Sequence, residues 1–354
     1  MNYDRELRKT PFLSVEGVHD CLENVSHEAR EKILTDIVSF TEFHFWLMGP
    51  LLFIFALVAL LVCTVYLAVV DQCKRSGTLA PKPAIFLLHR TVADVLVCFS
   101  LMILGLGWTL LSNHVAEETT TVFGVALIFD FNTAIIGSLV TYSGLTVLKA
   151  VAVLRPIVYL TRITERDCYL FIGIGWAVCM ATSVLLFVAS LARGGGFLLC
   201  YTDVECARAT RMQYVVWCVV VVALYLGILA TYGTLLVASW LAKKRAASAS
   251  PDGFRSVMAE IQLGRLSSGM ATFTLGYLPY LFLVGYAAFQ FRACHLLENY
   301  QFKMGVLISA HWAALAKNIA DPLLDFTNDQ KLRKQATTLA RRSLLLIKIC
   351  SAPR

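Results

Sequence analysis

The sequence predicts an all-α membrane protein: a bundle of seven transmembrane helices followed by an amphipathic helix on the inner face. Three observations predict it. Seven stretches reach the roughly 20 apolar residues that a helix needs to cross the hydrocarbon layer. Of the 354 residues, 58% are hydrophobic and only 16% charged, against the roughly 25% charge of soluble domains. The basic residues of the connecting segments also gather on one side. The apolar runs are continuous, which argues against the alternating strands of a membrane barrel.

The first element, residues 1–44, is expected to be an extracellular tail. It holds Asp4, Arg5, Glu6, Arg8 and Lys9 and lacks the apolar core of a cleaved signal peptide. Its export then falls to the first span, acting as a signal anchor. Asn24-Val25-Ser26 is a glycosylation acceptor in this outer segment.

The membrane domain covers 45–324, with spans over 45–70, 83–111, 120–153, 167–191, 213–241, 265–289 and 300–324. The third and seventh are the most polar and require a bundle to hide their polar faces. Orientation follows from the loops. Of the 31 Lys and Arg residues, eighteen fall in inner segments, nine in outer segments, and Arg90, Lys149, Lys303 and Lys317 in the spans. That bias places the N-terminus outside and the C-terminus in the cytoplasm. The net charge of +7 then faces anionic membrane lipid and cytoplasmic partners, so no nucleic acid is needed to explain it.

The last element, 325–354, is a cytoplasmic tail. Leu332, Ala336, Leu339 and Leu344 alternate with basic residues over 327–347, the pattern of an amphipathic helix on the inner leaflet. Cys350 beyond it is a candidate for palmitoylation, the alternative being an ordinary thiol. Cys63, Cys98, Cys179 and Cys218 lie in apolar runs and read as small core residues.

Ionisable groups in hydrocarbon are costly, so each one in a span is a functional candidate. They are His89, Arg90, Asp94, Asp130, Lys149, His311, Lys317, Asp321 and Asp325. Lys149 and Asp325 sit at helix ends and are expected to reach the interface by snorkelling. Asp94, Lys317 and Asp321 lie deeper. Lys317 and Asp321 are four apart and share a helix face, with Asn318 beside them. Pro322 is expected to break the helix and free a backbone carbonyl. If Asp94 faces the same cavity, two carboxylates and an ammonium form a buried centre. That centre reads either as a structural staple or as a proton- or cation-coupled switch. No catalytic, cofactor or metal-ligand constellation appears: the histidines are scattered, and Gly194-Gly195-Gly196 precedes no phosphate-binding helix. An enzyme is not expected.

Several motifs occur in a telling order. Leu87-Leu88-His89-Arg90-Thr91-Val92-Ala93-Asp94-Val95-Leu96 resembles the second-span Leu-x-x-x-Ala-x-Ala-Asp-Leu of rhodopsin-like G-protein-coupled receptors. Ala152-Val153-Leu154-Arg155-Pro156-Ile157-Val158-Tyr159 resembles the opening of their second inner loop. Trp176 falls at the fourth span's tryptophan. Gly276-Tyr277-Leu278-Pro279 resembles Cys-Trp-x-Pro, and Asp321-Pro322-Leu323-Leu324-Asp325 resembles Asn/Asp-Pro-x-x-Tyr. The likeness covers the spans from the second onward except the fifth. Departures accompany it. Leu148-Lys149-Ala150 replaces Asp-Arg-Tyr, Tyr277 the toggle tryptophan, and Asp325 the final tyrosine. The fifth span lacks its proline, and the first its Gly-Asn pair.

The resemblance implies a degenerate sodium pocket built from Asp94, Ser138, Asn318 and Asp321, in which the Lys317 ammonium substitutes for the ion. It implies switch roles for Tyr277, Pro279 and Pro322. It also implies a Lys149–Glu260 pair in partial replacement of the inactive-state lock, unless both are solvated at the membrane edge. Lys149, Arg155, Lys243 and Lys244 would then meet a heterotrimeric G protein. Gly124 stands at the third span's disulfide cysteine. Cys200 would therefore pair with Cys206, and Cys21 with Cys294, free thiols being the alternative.

The position that carries an acid in amine receptors is Phe131, so the unknown extracellular ligand is not expected to be a biogenic amine. Phe123, Phe129 and Phe131 suit an apolar ligand, and lipid-facing packing suits them equally. The function expected is that of a plasma-membrane receptor. The alternatives are a receptor-fold scaffold or trafficking protein without G-protein coupling, and a proton-coupled transporter. No internal repeat of the transporter kind is visible.

Overall fold

The structure is a computed structural model that describes residues 15–23, 25–43, 47–110, 117–191, 204–246, 263–290, 297 and 300–350. Among the described residues every regular element is helical and no strand occurs. In chain order these are α1 (Val15–Leu22), α2 (His27–Phe43), α3 (Gly49–Arg75), α4 (Pro81–Leu110), α5 (Glu117–Leu154), α6 (Pro156–Thr161), α7 (Glu165–Leu191), α8 (Val204–Ala246), α9 (Leu263–Gln290), α10 (Tyr300–Asn328) and α11 (Gln330–Cys350).

Among the described residues, six helices hold segments long and apolar enough to cross a membrane: Gly49–Arg75, Pro81–Gly107, Phe131–Leu154, Glu165–Leu185, Tyr214–Ala238 and Gly269–Phe289. They mark a multi-pass membrane protein. Their outward faces carry Leu61, Leu170, Ile174, Leu185 and Val219, all exposed, as lipid rather than water would require. The remaining stretch expected to span, 300–324, is helical in α10 but too polar to meet the same measure of apolar length.

Local chemistry sets the ends of these helices. Pro50 in the first turn of α3 and Pro156 in that of α6 occupy positions where a missing N–H costs nothing. Past the end of α3, Gly77 takes a φ of +68°, a left-handed turn open to glycine without a Cβ penalty. The Thr78 N–H then returns to the Cys73 carbonyl at 3.0 Å, and the chain turns into α4.

Helix contacts run in a ring, α3 to α4 to α5 to α8 to α9 to α10 and back to α3, with α7 outside against α4 and α5. The core inside contains Leu101, Ile135, Leu139, Tyr225, Phe273, Tyr277 and Leu315. Close approach is helped at Gly105, where a Cβ would stand 2.7 Å from the Phe53 backbone nitrogen.

Two terminal features flank the ring. The segment read from sequence as a tail contains α1 and α2. Val18, Leu22, Leu34 and Ile37 pack there with Leu297 and Tyr300, and Phe40 meets Tyr300 edge-on at 5.6 Å. At the other end, α11 has the predicted amphipathic character. Leu332 is fully buried, and Ala336 and Leu339 pack beside it on the α3–α4 cluster. Cys21 is disulfide-bonded, with its partner outside the described residues, whereas Cys63, Cys98, Cys179 and Cys218 are free and buried or half-buried.

Candidate functional site

Helical spacing assembles a polar seam through the middle of the ring. On α4, Arg90 and Asp94 are one turn apart; on α5, so are Ser138 and Tyr142; on α9, so are Thr272 and Gly276. On α10, Lys317, Asp321 and Asp325 repeat every four residues and point one way. All of the charged groups are buried.

Lys317 is the hub. Its Nζ donates to Asp94 Oδ1 at 2.8 Å and lies 3.3 Å from Asp321 Oδ2 and 3.3 Å from Asn318 Oδ1. Two rings flank the ammonium, Tyr142 at 5.2 Å and Tyr277 at 5.3 Å, within the range of cation–π attraction. The stem reaches this place because residue 276 is glycine: a Cβ there would stand 2.7 Å from Lys317 Cβ. The carboxylates have further donors. Ser138 approaches Asp94 Oδ1 at 3.5 Å. Asp321 accepts from the Tyr142 hydroxyl and, at 2.5 Å, from Thr272 Oγ1. Pairing with so many donors offsets the several kcal/mol that each lone buried ion would cost.

Asn318 joins three helices. Its Nδ2 donates to the Asp94 carbonyl at 3.3 Å and approaches Cys98 Sγ at 3.4 Å, while its own carbonyl accepts from Cys63 Sγ at 3.3 Å. Pro322 explains the last bond. Lacking an N–H, it cannot serve the carbonyl four residues earlier, and the Cys63 thiol supplies the donor instead. The sequence reading therefore finds the freed carbonyl but misjudges its consequence. α10 is not broken at Pro322 and continues to Asn328.

A second layer lies one turn further along α10. Arg90 Nη2 donates to Asp325 Oδ2 at 3.0 Å, and the Tyr66 hydroxyl donates to the same oxygen at 2.5 Å. The guanidinium sits 5.9 Å from the Tyr66 ring and 5.5 Å from the Tyr142 ring, so Tyr142 lies between the two cations. This corrects the expectation that Asp325 snorkels. At 8% exposure it is held by a buried arginine rather than by the interface, because α11 and α3 close over that end of α10.

Of the expected site residues, Asp94, Ser138, Lys317, Asn318, Asp321 and Tyr277 come together here, with Pro279 and Pro322 inside helices α9 and α10. Lys149 is half-buried near the end of α5, and Arg155 is exposed at the head of α6. Lys243, Lys244, Cys206 and Cys350 lie on helices, but their side chains are outside the described residues, as are Asn24, Cys200, Glu260 and Cys294 altogether. Sequence reasoning gave no role to Tyr66, Tyr142 and Thr272, and read Cys63 only as a small core residue. The signal for Tyr142 was its place one turn from Ser138; for the others, membership of apolar runs hid it.

Beyond the seam, Trp217 Nε1 donates to the Tyr280 hydroxyl at 2.8 Å, and that hydroxyl donates to Asn132 Oδ1 at 2.5 Å. Phe131 packs edge-on against Tyr280 at 6.1 Å and His311 at 5.0 Å. Phe131 is therefore an interior residue rather than a lipid-facing one, while the side chains of Phe123 and Phe129 are outside the described residues.

Fold and seam together define a multi-pass helical membrane protein with a charged interior. Compared with known proteins, the chain matches no protein-family model and no curated protein. The residues of the seam do not fit a sodium ion, because the Lys317 ammonium already bridges Asp94 and Asp321.

Proposed function

We propose that this chain is a divergent rhodopsin-like G-protein-coupled receptor of the plasma membrane, with seven spans, its N-terminus outside and its C-terminus in the cytoplasm. The observation that carries the reading is the Asp94–Lys317–Asp321 contact. It joins the acid of the second-span motif to the Asp-Pro motif of the last helix. α10 is the seventh span: it fails on apolar composition only because its ions face neighbouring helices, where each finds a partner. The eighteen basic residues of the assigned inner segments, and the basic stripe of α11 after α10, support the orientation.

In this reading an apolar extracellular ligand, or an intrinsic bias, shifts the bundle between two packings. Pro279 and Pro322 localise the bending, and Lys149, Arg155, Lys243 and Lys244 meet the G protein. The Cys21–Cys294 and Cys200–Cys206 bridges and glycosylation at Asn24 belong to the same proposal. The test is a G-protein dissociation assay in cells expressing the chain. Activity above mock without added ligand, abolished by Lys149→Ala at equal surface level, is expected. Silence against every G-protein class would overturn coupling. One observation favours a second reading, a receptor-fold scaffold without coupling. Arg90 and Asp325 tie α4 to α10 at the end of the seam, where a receptor must open.

A further inference from the structure

Away from the seam, the corner where α3 and α7 flank α4 gathers hydrogen-bond donors without acceptors. Lys74, in the last turn of α3, reaches across to α7. Its Nζ lies 2.6 Å from the Tyr169 hydroxyl and 5.1 Å from the ring centre. An ammonium only donates, so the Tyr169 oxygen accepts and its own hydrogen is left over. His89 of α4 meets the same ring edge-on at 6.2 Å, and a neutral imidazole still carries one N–H. Among the described residues, no protein acceptor meets the Tyr169 hydrogen, the His89 ring or the remaining ammonium hydrogens, and no carboxylate pairs with Lys74. Asp71, one turn before it, is taken by Arg75 at 2.8 Å. Three donors around one cation match an anion with several oxygens, as a phosphate is.

The surroundings of these donors select among phosphates. α3 and α7 both pack on α4, and the face of α4 between them turns outward, with Val92 40% and Phe99 47% exposed. Val92 and Phe99 share one stripe of the helix, about 10 Å apart along its axis. An apolar groove therefore leads from the donors into the hydrocarbon layer. A free anion would fill the donors and leave the groove to whatever lipid passed; one phospholipid fills both. A zwitterionic headgroup would bring its own ammonium beside Lys74, so a net negative head is favoured. We infer that this corner binds an anionic phospholipid, with its phosphate among Lys74, Tyr169 and His89 and an acyl chain along Val92 and Phe99. The inference needs only that the helices cross a bilayer, and it stands whether or not the chain couples to a G protein. In the orientation proposed above the corner lies in the inner leaflet, where anionic lipid collects.

The experiment is native mass spectrometry of the full chain in mild detergent, titrated with phosphatidic acid or with phosphatidylcholine of the same acyl chains. Retention of phosphatidic acid at about tenfold lower concentration than phosphatidylcholine is expected, the worth of one charge-assisted hydrogen bond. Lys74→Met should weaken that retention about tenfold, and Tyr169→Phe, which removes only a hydroxyl, about threefold. Lys331→Gln, an equal change of charge on α11, should leave it within about twofold, as an exposed charge outside the site would. Tyr169→Phe decides the matter should Lys74→Met not fold. Equal retention of the two lipids would overturn the inference, as would a Tyr169→Phe protein that binds like the parent. A loss in Lys331→Gln as large as in Lys74→Met would mean diffuse attraction and no site. Displacement of the lipid by millimolar inorganic phosphate would mean a site for the free anion, and would overturn it too.

Discussion

Helices α7 and α10 are nearly equal in length, 27 and 29 residues, and they meet the bilayer in opposite ways. α7 buries a narrow stripe, Cys168, Ile172, Cys179 and Ser183, and leaves Leu170, Ile174, Val178 and Leu185 outside. α10 buries Lys317, Asn318, Asp321 and Asp325 and leaves Phe302 and Leu323 outside. Apolar character in a membrane helix thus reports what touches lipid, and polar character reports what touches other helices. A helix on the rim satisfies hydropathy. A helix in the ring satisfies its neighbours.

The largest expected effect breaks that contrast at its centre. Lys317→Met removes the cation that bridges Asp94 and Asp321 and leaves their charge buried. The loss expected is about 3–5 kcal/mol, read as a lower midpoint of thermal unfolding in nanodiscs and a lower folded yield. Adding Asp94→Asn and Asp321→Asn to Lys317→Met should restore most of it, because a neutral hydrogen-bonded seam has no ion to strand. A Lys317→Met protein as stable as the parent would mean that α10 is as indifferent to its polar residues as α7 would be.

This contrast explains which parts of the molecule the sequence discloses. The six apolar helices were legible because hydrocarbon imposes one length and one composition on whatever crosses it. The members of the central site were legible too, since Asp94, Lys317 and Asp321 are expensive wherever they lie and two of them share a helix face. Their partners were not. Tyr66 and Tyr142 occur in apolar runs, where a tyrosine is unremarkable until the opposite helix supplies a carboxylate. Asp325 was misjudged for the same reason: a helix-end acid looks solvated unless Arg90, some 235 positions away in sequence, is known to stand beside it. Helices α1 and α2 were hidden by the density of charge around Val18, Leu34 and Ile37. That density reads as a solvated tail although the apolar positions keep helical spacing.

A middle-sized effect sharpens the comparison through glycine. Gly276→Ala on α9 places a methyl 2.7 Å from Lys317 Cβ and 3.1 Å from its Cγ and Cδ. The lysine stem cannot retreat without lengthening its bond to Asp94, so a loss of about 1–3 kcal/mol is expected. Gly173 on α7 has no atom within 4 Å of the same added methyl. Gly173→Ala is therefore expected to be neutral, or stabilising by up to about 1 kcal/mol through helix propensity. Opposite signs for two identical substitutions, measured as unfolding midpoints in the same nanodiscs, would separate ring from rim without touching a charge.

The smallest effect is expected on the outer face of α7. Leu185 is 73% exposed and, in a bilayer, is surrounded by acyl chains as apolar as itself. Replacing it with alanine opens no cavity, because lipid fills the space that a packed core could not. Leu185→Ala should accordingly lie within about 0.5 kcal/mol of the parent, a shift inside the scatter of repeated melts. The result carries information in either direction. A null effect means that lipid, and nothing more specific, covers this face. A loss comparable to that of a core leucine, about 2–5 kcal/mol, would mean that another protein surface packs there, and α7 would then have to be counted with the ring.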